Sequence, residues 1–237
     1  MKKVAVINFS GNVGKSSIAR YLLAPRMECD VINVESINDA GSDKKSIATV
    51  RGKEISALRD YLLKKDSLVV DIGASNVEDF VDGILEYQDG IDDFEYFVVP
   101  TVPAAKQQMD TVTTIRELID MGVDQDRIIL IFNQFDKRGG PIARQYKLVC
   151  DNVIQENLCK LNEDAIVPTH SFFEAFQNEP RSLDEVVHDD ANYREMISET
   201  DDDSLKTEYV RKIGMKSLAM GITKELNQVY SAISSHA

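Results

Sequence analysis

Residues Asn8 to Ser17 read Asn-Phe-Ser-Gly-Asn-Val-Gly-Lys-Ser-Ser, a composition suited to holding a chain of phosphates. Gly11 and Gly14 permit the tight backbone that turns successive N–H groups toward an anion. Lys15 brings a compensating charge, and the Ser16 hydroxyl is a hard oxygen donor of the kind Mg²⁺ takes. Ser10, Asn12, Val13 and Ser17 complete the loop and the first turn after it. The strict pattern G-x-x-x-x-G-K-[ST] is not met, because its first glycine would fall on Phe9. The bland alternative is a strand-to-helix turn that binds nothing. Against it, a lysine beside the positive end of a helix is unfavourable unless an anion is present.

Two further segments end apolar runs in polar residues. Leu68-Val69-Val70-Asp71-Ile72-Gly73 places a carboxylate where an α/β nucleotide site needs one, to coordinate Mg²⁺ or hold a water, and Gly73 could offer its N–H to a terminal phosphate. An aspartate after a strand is also a common turn or helix cap. Ile128 to Asp136 ends in Asn133-Gln134-Phe135-Asp136, and an asparagine amide, with donors and an acceptor, can pair with a purine edge. The same N-x-x-D spacing suits guanine, whose ring N–H and amine an aspartate accepts, although Gln134 stands where guanine-binding sites carry lysine. ATP is the expected nucleotide and GTP the alternative, with a helix or turn cap as the role of Asn133 that needs no ligand. His170 reads as a loop residue, because phosphoryl transfer relies on positioning and charge more than on a histidine base.

These residues need a sheet to gather them. Short β-branched runs, Val4 to Asn8, Asp30 to Val34, Ser67 to Ile72, Tyr96 to Pro100, Arg127 to Phe132 and Ala165 to Pro168, alternate with helix-period segments. Several runs are continuously apolar, as in strands covered on both faces. Ile55, Leu58 and Leu62 share one helix face; Val112, Ile115, Leu118 and Ile119 share another, which Gly122 stops. Leu218, Ile222, Leu226, Val229, Tyr230 and Ile233 form the stripe of a closing helix. The expected fold is α/β, a doubly wound and mainly parallel sheet of the P-loop type. With no repeat and no Pro/Gly-rich linker, one domain spanning residues 1–237 is expected.

The chain of 237 residues carries a net charge of −13, which disfavours a broad binding surface for nucleic acid or anionic lipid. The charge is uneven. From Asp184 to Asp203 nine carboxylates face the single Arg194, a net of −8, while Lys44, Lys45, Arg51 and Lys53 form a small basic cluster. The acidic stretch reads as a solvated insertion or as a docking surface for a basic partner. The basic cluster reads as a solvated loop or as a contact for a phosphate or a DNA-bound adaptor. Cys29, Cys150 and Cys159 lack paired spacing and suit reduced thiols in the cytoplasm, and no run is long and apolar enough to insert in a membrane.

The loop at Asn8 to Ser16 resembles the deviant Walker A motif, K-G-G-x-G-K-[ST], of the ParA/MinD family of partitioning ATPases. The likeness extends more loosely over residues 1–170 by the order of strands and motifs. Residues 1–25 also resemble the start of the plasmid stability StbB proteins. Ser10 stands at the family's signature lysine and Asn12 at a glycine; asparagine tolerates the left-handed backbone that the glycine would adopt. In the family that lysine crosses a nucleotide-sandwich dimer to the partner's phosphate, so a nucleotide-dependent homodimer of this chain would lack the contact. The resemblance places Glu35 at the first acidic position of switch I and Ile37 at the second, with Asp39 as a nearby carboxylate. It implies Lys15, Asp71 and Glu35 as catalytic residues, and Ser16 and Asp71 as Mg²⁺ ligands. It also implies Asn133 at the base and a weak ATPase acting in plasmid stability, positioning or conjugative transfer through a DNA-binding adaptor. The alternative class is a degenerate P-loop scaffold that works only as a protein-interaction module.

Overall fold

The structure, a computed structural model, describes residues 1–35, 47–51 and 55–235, without the side chains of residues 35 and 47–51. The basic residues Lys44, Lys45 and Lys53, and the switch positions Ile37 and Asp39, lie outside the described residues.

Among the described residues seven strands make one sheet: β1 (Lys3–Val6), β2 (Asp30–Glu35), β3 (Ile47–Arg51), β4 (Leu68–Ile72), β5 (Tyr96–Thr101), β6 (Ile128–Phe135) and β7 (Ile166–Pro168). Their order is β3-β2-β4-β1-β5-β6-β7, and every pairing is parallel. The expected doubly wound parallel fold is therefore present. The sequence pattern does not announce β3, which among the described residues lies at the edge of the sheet and pairs with β2. Strand β6 runs past the expected Phe132 to Phe135 because it pairs with β7 there. The ladder shifts register between Asn133 and Phe135, with Gln134 at φ 59°.

Both faces are buried, which explains the continuous apolar runs. Ala5, Val70, Phe97 and Val99 share a core cluster with Leu58, Phe80, Val112 and Ile115 of the helices Ile55–Lys64, Val77–Leu85 and Ala105–Asp120. The alternate residues Val4, Val6, Val69 and Val98 are buried as well. Asp71 follows Val69 by two positions and so lies on that second face. Gly122 (φ 94°) stops the third helix, donating to Ile119 O while Val123 N–H returns to Leu118 O. Burial pushes the thiols of Cys150 and Cys159 up to about 11 and about 12.

The chain divides into two compact units, Met1–Thr169 with Gln228–Ala237, and His170–Asn227. In the second, much of the acidic stretch is helical, with Leu183–Val187 and Tyr193–Glu199 preceding the start of the helix Asp203–Ser234. Ser182 and Glu185 form a capping box, and Asn192 caps the next helix. Between them Asp189 accepts from Tyr193 Oη (2.6 Å) and Arg181 Nη1 (2.8 Å), and Tyr193 stacks on Tyr209. His170 caps the helix Ser171–Ala175, its Nδ1 accepting from Phe172 N at 3.1 Å. Among the described residues no helix is long and apolar enough to cross a membrane.

Candidate nucleotide site

Strand β1 lies between β4 and β5. The chain leaves β1 toward β2 on one side of the sheet and leaves β5 toward β6 on the other. A crevice opens where two such connections diverge at the carboxyl ends of adjacent strands, and ligands of open α/β sheets bind there. The loop after β1 occupies this place.

Its entry is held by a buried polar network. Asn8, fully buried, donates from Nδ2 to Pro100 O (2.9 Å) and to Thr111 Oγ1 (2.8 Å), and its Oδ1 accepts from Ser10 N (2.7 Å). Phe9 N–H donates to Thr114 Oγ1 at 3.1 Å. Thr111 and Thr114 belong to the helix Ala105–Asp120, so the helix after β5 sets the path of the loop after β1. Ser10 is buried as well.

The loop then exposes Gly11 and Asn12, the latter at φ 59°, as an asparagine in place of glycine allows. Gly14 sits at φ 86°, and a Cβ there would lie 2.1 Å from Asn133 Nδ2. The helical turn Lys15–Ser17 opens with no side-chain cap and continues as a π-helix, Ile18–Leu23. Its first N–H groups are the natural receptors of an anion.

Lys15 is buried, and its Nζ donates to Asn8 O (3.0 Å) and Ser10 O (2.8 Å). Burial pulls the ammonium down to about 8 despite the favourable field of Asp71. Asp71, at the end of β4, is moved up from the ordinary carboxylate value by burial, against the Ser16 hydrogen bond and the charges of Lys15 and Arg20. Its Oδ1 is buried with no partner. Two neighbours share this condition. Asn33, the register partner of Asp71 on β2, has an unpartnered Oδ1, and Arg20 has an unpartnered Nε. Unsatisfied buried acceptors cost about 1–3 kcal/mol each and cluster where a ligand completes the site. An unmatched carboxylate oxygen beside a serine hydroxyl is a hard-oxygen donor set that fits Mg²⁺ held with phosphate and water.

Beyond β5, Asn133 is buried and its Nδ2 donates to Val13 O at 2.8 Å, tying β6 to the loop after β1. Tyr146 Oη fixes the strand from below by donating to Asn133 O (2.7 Å). Asp136 is exposed, its carboxylate accepting from Arg138 N (2.8 Å), while Gln145 bonds Asp136 N, Asp136 O and Gly140 O to shape the loop. Gly73 N–H donates to Val34 O (2.9 Å), so a bond from it to phosphate requires that strand-end bond to open. Glu35 ends β2 opposite Arg51. Ser10, Val13, Gly14, Lys15, Ser16, Asp71 and Asn133 thus converge, whereas Asp136 is bonded within its own loop.

Asn33, Thr111 and Thr114 are not singled out by the sequence motifs, and Asn8 enters them only as the first residue of the loop. For Asn33 the signal was present, a polar residue inside the apolar run Val31 to Val34. The threonines sit four residues after Gln107 and Asp110, whose carbonyls they also bond, and only the fold brings them to the loop.

The fold has close structural counterparts. MinD of Pyrococcus furiosus, a cell division ATPase, superposes with a TM-score of 0.55 at 11% identity over 97% of this chain and 100% of its own. The Pyrococcus horikoshii septum site-determining protein MinD, complexed with Mg-ADP, gives 0.52 at 10% identity over 94% and 99%. The pNOB8 ParA gives 0.51 at 12% identity over 100% and 99%. No family model matches the sequence, and no curated protein matches it. At these identities the likeness is one of fold, and the fold is that of the MinD/ParA P-loop ATPases.

Proposed function

We propose that this chain is a nucleotide-dependent switch of the ParA/MinD kind that binds Mg·ATP at the loop after β1. The observation that carries this reading is the convergence of Lys15, Ser16 and the unpartnered Asp71 Oδ1 at the switch point of the sheet, beside a glycine cradle that a Cβ would fill. The Mg-ADP complex of the P. horikoshii MinD supports it by analogy of fold.

Loop amides from Gly11 to Ser16 surround the phosphates. Lys15, now donating to two loop carbonyls, turns its ammonium to the phosphate oxygens. Ser16 and Asp71 would hold Mg²⁺, which when bound would neutralise phosphate charge. Asn133 locks the far wall of the loop and presents its Oδ1 to an adenine amine. The Asp136 carboxylate, engaged by Arg138, is drawn away from the role of reading guanine, which favours ATP over GTP. Hydrolysis is slow water attack on the terminal phosphate, and the segments around Glu35 and Gly73 report its loss. The cellular role we assign is that suggested by the StbB-like opening: plasmid stability, positioning or conjugative transfer in the cytoplasm. It is exerted through a DNA-binding adaptor and a nucleotide-stabilised homodimer, by a chain acting as one functional domain.

The test is Mg·ATP and Mg·GTP affinity and turnover for the wild type and Lys15→Ala, with sedimentation mass recorded at each nucleotide concentration. Affinity lost in Lys15→Ala, with a mass that doubles on binding, supports the switch. Binding without turnover leaves a switch that is not an enzyme. No binding by the wild type refutes the reading in favour of an interaction scaffold.

A further inference from the structure

Strands β2 and β4 set two buried polar side chains beside each other. Asn33 and Asp71 are register partners on these adjacent parallel strands, so they stand about 4.8 Å apart along the ladder and leave the sheet on the same face. Both are more than nine-tenths buried, Asn33 being 5% and Asp71 4% exposed. On the other side of Asp71 the register partner is Val6 of β1, fully buried and apolar, which offers the carboxylate nothing. Among the described residues neither Asn33 Oδ1 nor Asp71 Oδ1 has a hydrogen-bond partner. Both atoms are acceptors, so they cannot satisfy each other.

For the free protein asparagine is a poor residue at position 33. Its neighbours Val31, Ile32 and Val34 are buried and apolar, asparagine is depleted from strands, and a buried amide oxygen without a partner destabilises the fold. Two adjacent bare oxygens accept a group that brings two hydrogens or a positive charge. The hydration shell of Mg²⁺ brings both, because this ion dehydrates reluctantly and keeps several waters.

We propose that Asn33 is a positioning residue of the Mg²⁺ site, its Oδ1 and Asp71 Oδ1 together accepting the two hydrogens of one water in the ion's shell. The inference rests on the proposed nucleotide site and deepens it. Neighbouring strands each supply one oxygen toward the ion, and position 33 gives up stability in the free chain to do so.

The experiment combines urea unfolding of the free full-length chain with calorimetric titration of ADP, in Mg²⁺ and in EDTA, for the wild type, Asn33→Val and Asn33→Asp. Asn33→Val is expected to unfold at a higher urea concentration than the wild type, since it removes the bare acceptor and suits the strand. It should bind ADP as the wild type does in EDTA and lose roughly tenfold of the affinity that Mg²⁺ adds. Asn33→Asp keeps an oxygen in place. It should unfold at a lower urea concentration when free, because two buried carboxylates adjoin, and retain the Mg²⁺-dependent gain. A residue that merely holds the strand would not raise stability and lower Mg²⁺-dependent affinity in the same variant. Wild-type affinity for Mg·ADP in Asn33→Val overturns the inference. A loss of equal size in EDTA also overturns it, assigning Asn33 to the shape of the loop, and so does a lower urea midpoint in Asn33→Val, which would show the amide satisfied within the fold. No ADP binding by the wild type in either condition refutes the proposed function, and this inference with it, and is distinct from these outcomes.

Discussion

Gly14 and Asn133 are fitted to one another: the place of a Cβ on Gly14 is 2.1 Å from the Asn133 Nδ2 that donates to Val13 O. Gly14 is also at φ 86°, where an L side chain is strained. Gly14→Ala is expected to destabilise the chain by about 2–3 kcal/mol, combining backbone strain with overpacking. Asn133→Ala alone removes a hydrogen bond and costs about 1 kcal/mol. Because the clash disappears when Asn133 is truncated, the double variant should lose less than the sum of the singles. Urea unfolding with a constant slope measures all three, and strict additivity would refute the steric relationship.

Under the proposed function, Lys15 makes nucleotide affinity depend on pH. With its ammonium at about 8 in the free protein, facing Asp71 and with Arg20 acting on the same carboxylate, Lys15 is charged at neutral pH and loses its proton above that value. Binding a phosphate then requires proton uptake, so affinity should fall by up to about tenfold per pH unit above pH 8. The stability of the free chain should move the other way. A lysine below its ordinary 10.5 binds fewer protons folded than unfolded from about 8 to 10.5, so its contribution rises with pH across that window. Calorimetric affinities from pH 7 to 9.5 check the first statement, and melts of the wild type against Lys15→Met check the second. A flat affinity profile would count against a buried, phosphate-holding ammonium.

Asn8 is the hinge pin of the loop. Its amide serves Pro100 O, Thr111 Oγ1 and Ser10 N with no exposure to water. Asn8→Ala leaves these groups unpaired and should cost about 2–3 kcal/mol. It should also weaken nucleotide binding beyond what lost stability explains, because the entry to the loop is released. Affinity measured well below the melting transition separates the two effects, and unchanged binding there would show that the loop holds its shape without this anchor.

In the second unit Asp189 is the polar centre. Its carboxyl is held below the ordinary 3.8, first by the Tyr193 hydroxyl and then by Ala191 N–H and Arg181. A depressed carboxylate contributes stability above its unfolded value and loses it as pH falls through the folded one. Asp189→Asn should therefore lower stability at neutral pH and flatten the acid limb below pH 4. Amide hydrogen exchange in residues 183–199 reports this locally. Equal protection in wild type and variant at pH 7 would show that the helices there stand without the carboxylate.

The strand-loop-helix turn after β1, the aspartate at the end of β4 and the parallel sheet were legible in the sequence because each is a local signal. Glycines at fixed spacing, a lysine before serines and apolar runs ending in a carboxylate declare themselves within ten residues. The edge strand β3 was not legible, since its order comes from pairing with β2. Nor was the helical character of the acidic stretch, where charge count masked the caps at Ser182 and Asn192.

The order of elements, and the glycine-containing loop whose Lys15 comes to lie near Asp71, followed from the sequence by itself. Only the tertiary structure decided which partners those residues have. Asn133 is 120 positions from Val13, Thr114 is 105 from Phe9, and Asn33 meets Asp71 through strand register. Such contacts carry no local pattern, because hydrogen bonds between distant residues are selected by how the sheet and its helices pack. That packing buries Ser10 and turns its carbonyl to the Lys15 ammonium.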